Sequence, residues 1–152
     1  MIIAIVLALI AIDQFTKYLA VQHLMDGTVI EIIPNFFRLL YVENRGAAFG
    51  VLQDSRLFFI LITFLVLGVI FYFLFMKKDS VKGIYRLGLV LILSGTIGNF
   101  IDRIRLSYVI DFLSFRFFGY NFAVFNIADS LIVVGTFLLI IKILMSDTSH
   151  EK

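Results

Sequence analysis

Apolar residues along this chain fall into four runs long enough to cross a bilayer core of about 30 Å, each bounded or broken by polar residues at helical spacing. Leu57 to Met76 is the plainest, a stretch without a charge between Arg56 and Lys77-Lys78. The first run, about residues 2–22, is interrupted by Asp13, Gln14, Thr16 and Lys17. Asp13, Thr16 and Lys17 stand at i, i+3 and i+4, so one stripe of that helix is polar and should face other helices. The third run, about 87–103, repeats the pattern with Thr96, Asn99, Asp102 and Arg103. The fourth, about 122–145, contains a single acid, Asp129, with Asn126 one helical turn before it. A charge at such a depth is costly unless it faces protein or water, so each stripe is a candidate site.

The connections carry a different pattern. Between about 25 and 50, TVIEII, a Pro34-Asn35 turn and FFRLLYVE predict two short antiparallel strands. Asn44-Arg45-Gly46-Ala47-Ala48-Phe49-Gly50 follows, small residues with an amide and a guanidinium. These suit close approach of a ligand backbone or a plain turn back to the membrane. Ser107 to Tyr120 holds Asp111 among Val109, Ile110, Phe112, Leu113, Phe115, Phe117 and Phe118. So aromatic a segment belongs in the membrane interface or dips into it.

Composition narrows the class. The chain has 152 residues, 61% hydrophobic, with one proline and eighteen phenylalanines. That leaves room for four spans and one compact bundle, a single domain over 1–152 that is mainly α, with the two short strands and an interfacial amphipathic segment outside the spans. The net charge of +2 gives no argument for nucleic acid. With no cysteine and only His23 and His150, thiol chemistry, a Ser-His-Asp triad and a zinc site are disfavoured, and no metal or cofactor is expected. Lys77, Lys78, Lys82 and Arg86 crowd one short loop, which the positive-inside rule places in the cytoplasm. Alternation then puts both termini inside and both long connections outside.

At about 1.5 Å per residue, Asp13 lies roughly 18 Å and Asp102 roughly 24 Å from the cytoplasmic side, while Asp129 lies roughly 10 Å below the outer surface. Three polar stripes meet at one level near the outer leaflet, and Asp111 can fold onto it. Two carboxylates in a partly dry site do not both ionise readily, so one keeps a proton and the other is a base. Such a pair activates water against a carbonyl, with Asn99 and Asn126 as orienting amides. On residue types alone, three readings stay open: a peptidase, a small ion- or proton-coupled membrane carrier, and a noncatalytic assembly factor. Asp13-Lys17 and Asp102-Arg103 equally suit ion pairs that only support packing or anchor a helix end.

Five motifs in order bear a resemblance. D-Q-x-T-K at Asp13 to Lys17, N-x-G-A-A-F at Asn44 to Phe49, G-N-x-I-D-R at Gly98 to Arg103, V-x-D-F at Val109 to Phe112 and F-N-x-A-D-S at Phe125 to Ser130 resemble the bacterial lipoprotein signal peptidase family, signal peptidase II. The resemblance implies an aspartic intramembrane peptidase of the bacterial cytoplasmic membrane, with a small extracytoplasmic β-cradle that fits the two strands expected between about 25 and 50. It would remove the signal peptide of a diacylglyceryl-modified prolipoprotein just before the lipidated cysteine. The expected partners are that substrate and membrane lipid, and the expected state is a monomer. The family's catalytic acids match Asp111 and Asp129. Its other positions match Asp13, Lys17, Asn44, Gly46, Asn99, Asp102, Arg103, Asn126 and Ala128, expected to line or brace the site.

Overall fold

The computed structural model describes residues 1–46 and 55–147, with nothing assigned to the side chains of residues 56, 146 and 147. Ala47, Ala48 and Phe49 of the second motif lie outside the described residues. Among the described residues, four helices carry the chain back and forth: α1 (Ile2–Leu24), α2 (Arg56–Phe71, continued by a π-helical turn Tyr72–Met76), α3 (Gly83–Arg105) and α4 (Ile127–Asp147). Each has a segment long and apolar enough to cross a membrane. Their outward surfaces stay apolar: Leu7, Phe15, Leu61, Leu65, Phe137 and Leu144 are all exposed. Such a surface suits lipid as solvent, which is why the helices combine high apolarity with little amphipathic contrast.

What the helices bury is small or polar. In α1 the buried positions are Val6, Asp13, Lys17, Ala20 and Leu24, a single stripe at steps of three, four and seven. α3 is central, and its seam with α4 is glycine-lined. A Cβ on Gly95 would collide with the carbonyl oxygen of Ala128, and a Cβ on Gly135 would sit 2.7 Å from the carbonyl of Gly88. Those close approaches draw the backbone of α3 against the start of α4, in the small-residue manner of membrane helix pairs.

At one end of the bundle, where α1 and α3 finish and α2 and α4 begin, lies an antiparallel sheet of four strands in the order β1 (Ile30–Ile33), β2 (Phe37–Asn44), β3 (Val109–Phe117), β4 (Tyr120–Phe125). The two expected strands are β1 and β2. The segment read as an interfacial connection, Ser107 to Tyr120, is instead mostly β3, paired with β2 through Val42↔Asp111 and Asn44↔Val109. β4 takes Tyr120–Phe125, so α4 begins at Ile127 and not near 122. Phe118 and Gly119, both at positive φ, close the β3–β4 hairpin.

Two apolar clusters frame the site. Val6, Ile70, Leu74, Val81, Leu89 and Val90 fill the end away from the sheet, and Ala20, Leu24, Ile110 and Phe112 join α1 to β3. The polar residues lie between them.

Candidate active site

The start of α4 is a capping box written in the sequence as Asn126-Ile-Ala-Asp129. The Asp129 N–H donates to Asn126 Oδ1 at 2.8 Å, and the Asn126 N–H donates back to Asp129 Oδ2 at 3.2 Å. Asn126 is therefore the residue before the helix and Asp129 lies in its first turn. The expectation that both lie inside a span, one helical turn apart, is corrected: α4 begins at Ile127, so Asn126 stands just before it and Asp129 within its first turn. Because Asn126 Oδ1 accepts that N–H, its Nδ2 must point the other way, and it donates to Asp111 Oδ1 at 2.6 Å and Asn99 Oδ1 at 3.1 Å. One amide thus ties the two acids from separate elements, Asp111 on β3 and Asp129 on α4.

Asn99 is oriented by Lys17. The ammonium is 1% exposed and spends its three donors on Asp13 Oδ2 at 3.0 Å, Asp102 Oδ2 at 2.9 Å and Asn99 Oδ1 at 2.9 Å. A donor at that oxygen turns Asn99 Nδ2 toward Asp129 Oδ1, 2.7 Å away. Asp13 Oδ1 accepts the Ala128 N–H at 2.8 Å, a carboxylate at the positive end of α4. Asp102 Oδ2 also accepts the Ile110 N–H at 3.2 Å, which fixes β3 beside α3 next to Asp111. Asn44 of β2 completes the group, donating from Nδ2 to Asp111 Oδ2 at 2.9 Å while its Oδ1 accepts the Gly46 N–H. Among the described residues, no buried side-chain nitrogen or oxygen lacks a partner.

Asp111 and Asp129 both open on a cleft of about 210 Å³ with Asn44, Gly46, Asn99 and Arg103. Its apolar wall includes Val124, Phe125, Ile132 and Val133. Burial, and after it the Asp129 carboxylate, push Asp111 up from the ordinary carboxylate range to about 7, against the pull of the Asn44 and Asn126 amides. The Arg103 guanidinium lies 4.8 Å over the Phe59 ring at the cleft, not on Asp102. An anchor made of Asp102 with Arg103 is thereby replaced by the Lys17-Asp102 pair.

The other residues singled out from sequence sort clearly. Asp13, Lys17, Asp102 and Ala128 lie behind the acids as a brace. Thr16 is outside the group, its hydroxyl donating to the Asp13 carbonyl at 2.8 Å. Phe112 packs with Ala20 and Leu24 away from the cleft, and Phe115 stacks on Phe37 at 4.9 Å, so among the described residues the aromatic ring lining the cleft at the acids is Phe125. Gln14 belongs to the first motif, and its position in the sequence points to no particular role. Its Nε2 lies 3.1 Å from Asp102 Oδ1 and 3.2 Å from the Gly98 carbonyl, joining α1 to α3.

Four apolar helices with two acids at a cleft between bundle and sheet define a multi-pass membrane protein with a buried carboxylate site. The solved structure of a bacterial membrane enzyme is similar throughout, with a TM-score of 0.88 at 38% identity, covering 99% of this chain and 91% of that one. The model of the signal peptidase (SPase) II family matches residues 5–145, and the chain belongs to that family. A lipoprotein signal peptidase of Caldanaerobacter subterraneus subsp. tengcongensis is 51% identical over 139 residues, 91% of this chain and 92% of that protein. One of Clostridium tetani is 47% identical over 152 residues, 99% of this chain and 96% of that protein.

Proposed function

We propose that this chain is an aspartic intramembrane endopeptidase that removes the signal peptide from diacylglyceryl-modified bacterial prolipoproteins, cutting just before the lipidated cysteine. Family membership supports the peptidase and its prolipoprotein substrates. The observation that carries the aspartic assignment is the pair Asp111 and Asp129, bridged by Asn126 and facing one cleft. These two are the catalytic acids.

Both acids accept two N–H groups, Asp111 from Asn44 and Asn126 and Asp129 from Asn99 and the Asn126 backbone, so hydrogen bonding alone does not separate them. Lys17 polarises the Asn99 amide that faces Asp129, which supports Asp129 as the ionised base. Asp111, raised to about 7 by burial and by Asp129, holds the proton. Asp129 takes a proton from water as the oxygen attacks the scissile carbonyl, while Asp111 donates to the carbonyl oxygen. Collapse of the tetrahedral diol breaks the C–N bond: Asp129 returns its proton to the leaving amine while a diol hydroxyl gives its proton back to Asp111, which leaves a carboxyl product and both acids as they began. Asn44, Gly46 and Arg103 line the cleft where the peptide backbone lies, and the apolar wall holds the side chain before the cut.

The orientation follows from the lysine-rich loop: both termini cytoplasmic, the sheet and the acids at the outer leaflet of the bacterial cytoplasmic membrane. A precursor's signal helix lies along the bundle and its lipid stays in the same leaflet, which brings the bond before the cysteine to the acids. One 152-residue domain, working as a monomer, suffices for this. The carrier alternative has lost its motive, because Lys17 and its two acids satisfy one another in a closed group. Purified protein in detergent, given a diacylglyceryl precursor and its unlipidated form, should release signal peptide from the first only, with mass spectrometry placing the new N-terminus at the lipidated cysteine. Cleavage elsewhere, or equal cleavage of both, contradicts the assignment.

A further inference from the structure

The bundle end away from the sheet holds a second cleft, of about 580 Å³, between the start of α3 and the end of α4. Ser80, Lys82, Tyr85 and Lys142 line it, with Ile84 and Ile143 beside them. The two lysines come from different elements, and among the described ion pairs neither has a carboxylate partner. The loop that presents Lys82 is held in shape. Arg86 donates from Nε to the Val81 carbonyl at 2.8 Å and from its terminal nitrogen to the Lys78 carbonyl at 2.7 Å. Val81 itself is fully buried against the bundle. α3 starts there with no side-chain cap, which leaves the partial positive charge of its first turn unanswered by a side chain.

We propose that this cleft binds the headgroup of an anionic phospholipid, its phosphodiester between Lys82 and Lys142. The acyl chains run down the α3–α4 seam past Ile84 and Ile143. A lipid fits better than a soluble phosphate because the cationic groups stand where two spans end and apolar side chains begin. The site depends on these helices crossing a membrane and not on the dyad, so it can fail or hold independently of the peptidase assignment. A lipid seated there fixes the depth of α3 and α4, the two helices that carry Asn99 and Asp129.

The test is native mass spectrometry of the full chain from micelles doped equally with phosphatidylglycerol and phosphatidylcholine. The wild type should retain phosphatidylglycerol about tenfold over phosphatidylcholine, as two lysines near a phosphodiester provide. The Lys82→Gln/Lys142→Gln variant should lose that preference, while Lys77→Gln/Lys78→Gln, with the same charge removed outside the cleft, should keep it. Equal loss in both variants, or no preference in the wild type, overturns the site. Displacement of the lipid by millimolar glycerol phosphate would make it a soluble-phosphate site and overturn the lipid assignment. Circular dichroism and gel filtration of each variant establish that it is folded.

Discussion

The Lys17 ammonium donates to Oδ1 of Asn99 at 2.9 Å, and that contact fixes which end of the amide faces Asp129. Lys17 never touches the cleft, yet it determines that Asp129 receives an N–H and not a second oxygen. Replacing it with methionine removes the orienting donor and leaves Asp13 and Asp102 buried without a counter-ion. Lys17→Met should cost about 3–5 kcal/mol, as loss of one partner of a buried ion group does. Thermal unfolding in detergent would show this, and a variant within 1 °C of wild type would contradict the brace.

Asn126 has two separable tasks, capping α4 and bridging to Asp111. Serine keeps the first, since its hydroxyl can accept the Asp129 N–H, but cannot reach both partners of the second. Asn126→Ser should hold the melting temperature while lowering kcat about 100-fold, the scale expected when an aligned hydrogen-bond donor is lost. Asn126→Ala should lose activity and, in addition, about 1 kcal/mol of stability. Equal activity in the serine variant would show that the bridge has no part in the chemistry.

The glycines of α3 and α2 should respond in opposite ways. A Cβ on Gly98 would lie 2.6 Å from Asp13 Oδ2, and one on Gly95 would strike the Ala128 carbonyl, whereas Gly68 has nothing within 4 Å. Gly95→Ala and Gly98→Ala should each destabilise by about 1–3 kcal/mol. Gly68→Ala should be neutral or stabilising by up to about 1 kcal/mol. Melting temperatures that fall equally in all three would show that these close approaches do not govern the packing.

Asp111 gives the pH dependence. Its pKa is raised in the folded protein from 3.8 to about 7, so its protonated form is favoured by folding. The stability it contributes is full below about 3.8 and is lost as pH rises through about 7. Asp111→Asn, which cannot ionise, should match wild type in acid and exceed it increasingly up to pH 7, with a constant difference above. Wild-type kcat/KM should fall on the alkaline side of about 7 as the acid of the free enzyme loses its proton. Melting curves that run parallel from pH 4 to 8 would contradict this.

Much of this architecture is legible in the residues because a membrane leaves few options for burying Asp and Lys. The stripes Asp13-Lys17 and Asn99-Asp102 locate a common level, and that level is where Lys17 binds both acids. The β3–β4 hairpin was harder to read. In VIDF all four residues are buried, since this part of β3 is covered on both sides, so no period-two alternation marks it as a strand. Phe122 to Phe125 runs in apolar character straight into α4, and hydropathy cannot divide them. The divider is Asn126, legible only as a capping box once Asp129 is counted three residues on. The role of Gln14 needed coordinates, because its partners Gly98 and Asp102 are distant in the chain.

The central claim is that Asp111 and Asp129 together perform the cleavage. Its most direct test is cleavage of a diacylglyceryl-modified prolipoprotein by purified wild type, Asp111→Asn and Asp129→Asn, each first shown to be folded. Wild type should cut before the lipidated cysteine and both variants should be inert, with turnover reduced by a factor of at least about 10³. A folded single variant that retains wild-type turnover would remove that acid from the chemistry and contradict the dyad.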